Sequence, residues 1–130
     1  MTDVDFTDRE LDVMAVLWER GPSTVAEVRA ELNARLAEPL AYTTVLTILR
    51  ILEEKGHLRH TEEGRAHRYH PLVAREEAGR SALRDVLKRI FDGSPELLMT
   101  QLVSDRALSD SEIRRMREIL DRRLCEGGDR

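Results

Sequence analysis

The sequence has few aromatic residues, a single cysteine and no long apolar run. Aromatic side chains make up 4% of the 130 residues, and Cys125 is the only cysteine. A lone cysteine cannot form an internal disulfide, which is typical of a reducing compartment. No apolar stretch approaches the roughly 20 residues needed to span a bilayer, and the first ten residues are acidic where a signal peptide is basic. We therefore expect a cytoplasmic protein with no membrane partner.

Catalytic motifs are also missing. The sequence contains no glycine-rich phosphate loop and no nucleophile elbow, and its acidic residues are scattered over the exteriors of predicted helices. Cys125 has no residue of metal-ligand type near it in a short motif, so we interpret it as a bystander thiol. We predict that the protein is not an enzyme and uses no cofactor.

Charge is abundant but unevenly distributed. Charged residues make up 35% of the chain, with a formal net charge of -4. This acidic balance argues against a simple nucleic-acid binder, because phosphate neutralisation requires lysine and arginine. Residues 64–70 (GRAHRYH), however, contain Arg65 and Arg68 and no acid. Such a local basic patch can still bind DNA, with a shallower salt dependence.

Capping residues and helical periodicity predict three short helices in the N-terminal half. Thr7 and Glu10 have the spacing of a capping box, so we predict a first helix from about Asp8 to Arg20. Ser23 or Thr24 can cap a second helix, whose apolar residues recur at intervals of three and four. A third helix follows within residues 41–56.

This third helix has two chemically opposed faces. At about 100° per residue, its polar residues lie opposite its apolar ones. Threonine is a poor helix former compared with the residues that a merely solvated face favours, so we interpret the polar face as a contact surface. An ordinary amphipathic helix remains the alternative when this segment is considered alone. The predicted core residues are Val45, Ile48, Leu49 and Leu52.

A β-hairpin is predicted after Gly56. Residues 57–61 are typical of a short strand, residues 62–64 of a turn, and residues 66–73 of a returning strand. Three helices followed by a hairpin make a winged helix-turn-helix domain, which we assign to residues 1–73.

Residues 74–130 are predicted to be helical, so the fold class is mainly α with a small β-hairpin. Their apolar residues form stripes at three-and-four spacing. A region this small buries little on its own, so we predict a homodimer in preference to helices that fold back onto the first domain. The predicted dimerisation residues are Leu83, Val86, Leu87, Ile90, Phe91, Leu98, Leu102, Ile113, Met116 and Leu120.

The helix-turn-helix pattern nominates residues for contact with DNA. If the third helix lies in a major groove, its N-terminal residues meet base edges first. The candidate base contacts are Thr43, Thr44, Leu46 and Thr47, of which Leu46 can pack on a thymine methyl. The candidate backbone or minor-groove contacts are Arg50, Arg65 and Arg68.

All four histidines lie in the hairpin. Residues three apart on a strand point to opposite faces, so neither His57 with His60 nor His67 with His70 should converge on an ion. We therefore predict no metal site. The histidines could instead add positive charge near phosphates below pH 7.

Three runs in order carry a family resemblance: LDVMAVLWERGPSTVAEV, YTTVLTILRILEEKGHL and GRAHRYHPLV. Together with FDGSPELLMTQLV and LSDSEIRRMREIL in the tail, they resemble the penicillinase-repressor family of winged-helix transcription factors, of BlaI, MecI and CopY type. The resemblance covers nearly the whole chain. It implies a homodimeric repressor whose third helix enters the major groove at each half of a palindromic operator, with C-terminal helices holding the dimer.

The chain departs from this family where repression is released. In the β-lactam branch, a membrane-bound sensor metalloprotease triggers cleavage after an asparagine followed by phenylalanine. Alignment of the tail gives Gln101 and Leu102 as that pair, and neither residue matches. The copper branch has paired cysteines, which Cys125 alone cannot supply, and Ile51 replaces a frequent arginine. The releasing signal stays open, with proteolysis and a sensor protease as candidates.

The main alternative function is a winged helix that binds proteins without specific DNA binding. In that case the C-terminal helices would form a docking platform. Loss of affinity with rising salt and preference for a palindrome would distinguish a repressor from this alternative.

The histidine-rich hairpin predicts that DNA is bound more tightly at pH 6 than at pH 8, because protonated histidines attract phosphates. Fluorescence anisotropy with labelled DNA measures both affinities. A His→Gln variant should show a smaller pH dependence than wild type. Equal pH dependence in the two proteins would contradict a role for histidine charge.

Overall fold

The structure is a computed structural model that describes residues 5–127. The chain forms two compact units that divide between Leu83 and Arg84. In chain order the elements are α1 (Asp8–Arg20), β1 (Ser23–Thr24), α2 (Val25–Arg35), α3 (Tyr42–Glu54), β2 (Leu58–Glu63), β3 (Ala66–Pro71), α4 (Arg75–Ile90), α5 (Pro95–Ser104) and α6 (Asp110–Gly127). The predicted fold class, mainly α with a small β-hairpin, is confirmed. In the described part of the chain, no helix has the length and apolar character required to cross a membrane.

Helices α1 and α2 both begin with a reciprocal capping box. The Thr7 hydroxyl accepts a hydrogen bond from the Glu10 backbone N–H (3.2 Å), and the Glu10 carboxylate accepts one from the Thr7 N–H (2.9 Å). Thr24 and Glu27 repeat this arrangement at α2. Each box satisfies backbone donors that a first helical turn leaves unpaired. The predicted box on α1 is confirmed, and Thr24 rather than Ser23 caps α2.

Helix α3 directs its predicted apolar face into the core of the first unit. Val45, Leu49 and Leu52 are fully buried, and Ile48 is partly buried against them. The buried cluster consists of Val13, Met14, Val16, Leu17, Val25, Val28, Leu32, Val45, Leu49, Leu52, Leu58 and Tyr69. Burial of this apolar area is the main force that holds the three helices and the sheet together. It leaves the opposite side of α3 open to solvent.

The sheet has three strands in the order β1-β3-β2, where the sequence predicted a two-stranded hairpin. Strand β1 is only two residues long and pairs antiparallel with Arg68 and Tyr69 of β3. Two residues carry no alternating pattern, so β1 could not be found from the sequence. We call residues 58–71, that is β2, β3 and their turn, the wing. At the tip of the wing Gly64 has a φ of 63°, a left-handed conformation that favours glycine.

A buried carboxylate, that of Glu10, joins two helices. Glu10 is only 5% exposed, and Lys55 at the end of α3 donates from Nζ to both carboxylate oxygens, at 3.0 and 2.9 Å. Burial by itself raises the pKa of Glu10, but the bond from the Thr7 N–H and the Lys55 ammonium outweigh burial, so the pKa is lowered. One carboxylate therefore caps α1 and holds the C-terminal end of α3.

The second unit contains well-capped helices but, among residues 84–127, no buried core. Ser94 caps α5, which has Pro95 in its first turn, and Ser109 with Glu112 forms a capping box at the start of α6. Within the described part of the chain, no residue after Ala78 is buried. The apolar side chains of this unit are thus left half-buried or exposed.

The Glu10 ion pair predicts an acid-sensitive contribution to stability. Because the folded state lowers the pKa of Glu10, the contribution is present above the unfolded pKa of 4.5 and is lost as pH falls through the lower, folded pKa. Glu10→Gln should reduce the free energy of unfolding at pH 7 by about 1 kcal/mol. Urea unfolding at pH 7 and at pH 3 measures this effect.

Glu54→Gln is the matched control, because Glu54 is exposed and forms no ion pair with any described residue. It should leave the pH dependence of stability unchanged, whereas Glu10→Gln should flatten it. A Glu10→Gln protein that loses as much stability on acidification as wild type would contradict the role given to this carboxylate.

Candidate nucleic-acid interface

The outer face of α3 lies open to solvent from its first turn onward. Thr43, Thr44, Thr47 and Arg50 are exposed, as the sequence analysis expected of a contact face. Leu46 differs, because it is half-buried and packs against the core cluster. It therefore presents only part of its side chain beside the threonines.

The hydroxyl of Thr47 is already used as a donor. Its Oγ1 donates to the backbone carbonyl of Thr43 at 2.9 Å, a bond from residue i to residue i−4 that threonine often makes inside helices. The oxygen lone pairs and the methyl group remain available. Thr47 can therefore accept a hydrogen bond from a base or contact a thymine methyl.

Side chains of α2 hold the segment that leads into α3. The Asn33 amide oxygen accepts the Leu40 N–H at 2.8 Å. The Leu40 carbonyl accepts hydrogen bonds from Asn33 Nδ2 at 3.3 Å and from Arg29 Nε at 3.1 Å. The N-cap residue of α3, Ala41, makes no side-chain capping bond. Asn33 thus positions the start of α3, a role that sequence analysis missed because it depends on a contact seven residues away.

Three exposed arginines lie on α3 and on the wing. Arg50 on α3, Arg59 on β2 and Arg65 at the tip of the wing form no ion pair with any described residue. Their guanidinium groups are therefore free to contact phosphates. Arg59 was not singled out from the sequence. Its position in β2, one residue from the buried Leu58, was the available signal, because alternate residues of a strand face opposite sides.

Arg68, the third arginine predicted to contact DNA, is engaged within the protein. It donates to Glu63, to Glu27 and to the Pro22 carbonyl. The bond from Arg68 is the main cause that lowers the pKa of the Glu63 carboxyl. The predicted phosphate contact of Arg68 remains a prediction, and its intramolecular partners suggest another role.

Two histidines meet across the strands of the wing. The rings of His60 and His67 stack at a centroid distance of 4.3 Å, because His60 pairs with Tyr69 and has His67 as its diagonal neighbour. His60 Nδ1 also lies 2.6 Å from Glu53 on α3. Only pairs along one strand were considered from the sequence, so this cross-strand pair was missed. Within residues 5–127, no group of three or more ligating side chains is arranged to hold a metal ion.

The ten residues predicted to form a dimer interface are all at least partly exposed. Leu83, Val86, Ile90, Leu102 and Leu120 are the more exposed half of this set. The sequence prediction did not include Leu97, Val103, Ile119 and Leu124, which are also exposed.

The predicted cleavage pair lies within a helix. Gln101 and Leu102 are both exposed on α5. A protease binds its substrate in an extended conformation, so cleavage here requires α5 to open locally.

Comparisons with known proteins find relatives that match both the winged helix and the helices that follow it. A family model described as penicillinase repressor matches residues 6–122. The transcriptional regulator BlaI of Mycobacterium tuberculosis is 39% identical over 98 residues, which cover 74% of this chain and 70% of that protein. The penicillinase repressor of Bacillus licheniformis is 29% identical over 115 residues and 88% of each chain.

A solved structure shows the same fold in the first unit. The solution structure of the DNA-binding domain of the repressor BlaI superposes with a TM-score of 0.51 at 32% identity, over 58% of this chain and 90% of that one. The family match spans both units and includes the helices after the wing. The chain therefore belongs to the penicillinase repressor family.

Proposed function

We propose that this chain is a transcriptional repressor that binds double-stranded operator DNA in the cytoplasm. The observation that carries the proposal is the exposed threonine face of α3, together with exposed arginines on α3 and the wing that form no ion pair with any described residue. Membership of the penicillinase repressor family and the likeness to the BlaI DNA-binding domain support it.

Docking of α3 in a major groove gives its exposed residues distinct tasks. The first turns of the helix carry Thr43, Thr44 and Thr47, which can meet base edges, and Leu46 contributes the exposed part of its side chain. Arg50 follows one turn later, where a phosphate is the expected contact. Bases then supply sequence preference and phosphates supply affinity.

The wing adds contacts with the DNA backbone to those made by α3. Arg65 at its tip and Arg59 in β2 are exposed cations on an element next to α3. Because the net charge of the chain is -4, attraction to DNA depends on these local groups and not on the protein as a whole. A shallow salt dependence is the expected signature.

We further propose that two copies act together on a palindromic site. The second unit has no buried side chain within the described residues, yet its helices carry many apolar ones. A second copy would cover such faces symmetrically. Two α3 helices separated by about 34 Å, one turn of DNA, could then contact both halves of the operator.

Release from the operator would follow from any signal that separates the two copies. Cleavage between Gln101 and Leu102 is one such signal, and a sensor protease would then be a partner. Because these residues differ from the family's asparagine and phenylalanine, the protease would need a different side-chain preference.

The proposed docking predicts that Thr47→Ala and Arg50→Ala have different effects. Thr47→Ala should reduce the preference for the operator over a mutated site by about fivefold, since a base contact contributes about 1 kcal/mol of discrimination. Arg50→Ala should weaken binding to all sequences and lower the slope of log K against log salt by about 0.9. Anisotropy titrations at several salt concentrations measure both quantities.

Arg80→Ala is the control, because Arg80 is an exposed arginine on α4, outside α3 and the wing. It should change neither the preference nor the slope. If wild type shows no sequence preference and no salt dependence, the repressor proposal fails and a protein-binding winged helix is favoured.

The dimer predicts that Leu120→Glu separates the two copies. A carboxylate at this half-exposed position on α6 would have to be buried without a partner. The dissociation constant of the dimer should rise at least about tenfold, a change of roughly 1.4 kcal/mol. Sedimentation velocity over a concentration series measures it.

Arg122→Glu provides a matched control on the same helix. Its position is two residues away, so it points to the other side of α6. It should leave the dissociation constant nearly unchanged. Wild-type protein that sediments only as a monomer at micromolar concentration would contradict the dimer.

A further inference from the structure

Arg68 has all three of its guanidinium nitrogens occupied by groups of its own chain. Nε and Nη2 donate to the two carboxylate oxygens of Glu63. Nη1 donates to the Pro22 carbonyl at 2.9 Å and to Glu27 at 3.2 Å. The planar fork of arginine makes this two-sided arrangement possible, which a lysine ammonium cannot reproduce.

The partners of Arg68 come from different parts of the winged helix. Arg68 lies on β3, the central strand of the sheet. Glu63 ends β2 at the tip of the wing, whereas Pro22 belongs to the turn after α1 and Glu27 to the first turn of α2. One side chain thus connects the tip of the wing to the helix-turn-helix. It does so where backbone pairing of β1 with β3 covers only two residues.

A phosphate is a poor additional partner for Arg68. Its side chain is only 28% exposed, and two carboxylates already neutralise its charge. A phosphate that approached it would also approach Glu27 and Glu63 and be repelled by them. Arg65 provides the contrast, because it is exposed and forms no ion pair with any described residue.

We propose that Arg68 is a positioning residue, which orients the wing on α2 so that Arg65 reaches the DNA backbone. Glu27 and Glu63 are its partners in this role. The inference rests on the proposed DNA-binding function and assigns Arg68 a task other than direct contact. Orientation before binding raises affinity because less conformational freedom is lost on association.

The two roles of Arg68 separate in the variant Arg68→Lys. A phosphate contact survives this change, because lysine keeps the positive charge. A bridge between two carboxylates and a carbonyl does not survive, because the fork is lost. Arg68→Lys should weaken operator binding by about fivefold. This is the size of effect expected when the interaction between residues in contact is lost. The matched control Arg80→Lys, an exposed arginine on α4 outside α3 and the wing, should keep affinity within about twofold.

A double-mutant cycle tests whether Arg68 acts through Arg65. The affinities of Arg65→Ala, Arg68→Lys and the double variant are compared with that of wild type. If Arg68 positions Arg65, the losses of affinity in the two single variants are not additive. In a displaced wing Arg65 contributes little to binding, so removing it as well has little further effect. Additive losses, or wild-type affinity in Arg68→Lys, would overturn the inference.

Hydrogen exchange in the free protein keeps the inference testable without DNA. Amides of the wing should exchange faster in Arg68→Lys than in wild type, whereas those of α1 should not change. Unchanged exchange in the wing would overturn the positioning role. Faster exchange in a protein that binds no operator would instead show that the proposed function, and not the role of Arg68, is at fault.

Discussion

The Glu10 carboxylate is the constraint on which the orientation of the winged helix depends. It accepts the Thr7 N–H at the start of α1 and two bonds from Lys55 at the end of α3. A buried charge that loses its partner is costly, so these groups can hardly separate while the domain stays folded. The ends of the first and third helices are therefore fixed together. This fixes which side of α3 is turned outward.

The basic side chains of the winged helix fall into two groups, those paired with carboxylates of the fold and those exposed to solvent without such a partner among the described residues. Lys55 and Arg68 have carboxylate partners within the fold. Arg50, Arg59 and Arg65 form no ion pair with any described residue. An acidic protein can in this way present a small basic surface. The division depends on neighbours in space and not on the number of charges.

Local features could be predicted from the sequence, whereas features set by pairing in space could not. The capping box of Thr7 and the buried face of α3 follow from spacings of three and four residues. Strand β1 and two of the partners of Arg68, Pro22 and Glu27, depend on contacts more than 40 residues apart. The outer face of α3 was predicted to be a contact surface. The hydrogen bond from the Thr47 hydroxyl to the Thr43 carbonyl was not predicted. The tasks of its residues remain proposals.

The described residues of the second unit include no buried side chain, and this has a consequence for the lifetime of the protein. Helices without buried side chains are marginal in water, and those of this unit would gain stability mainly by association. Stability that comes from association rises with concentration by mass action. At low abundance the C-terminal helices would open more often and be more accessible to cellular proteases. The amount of repressor would then influence its own rate of turnover.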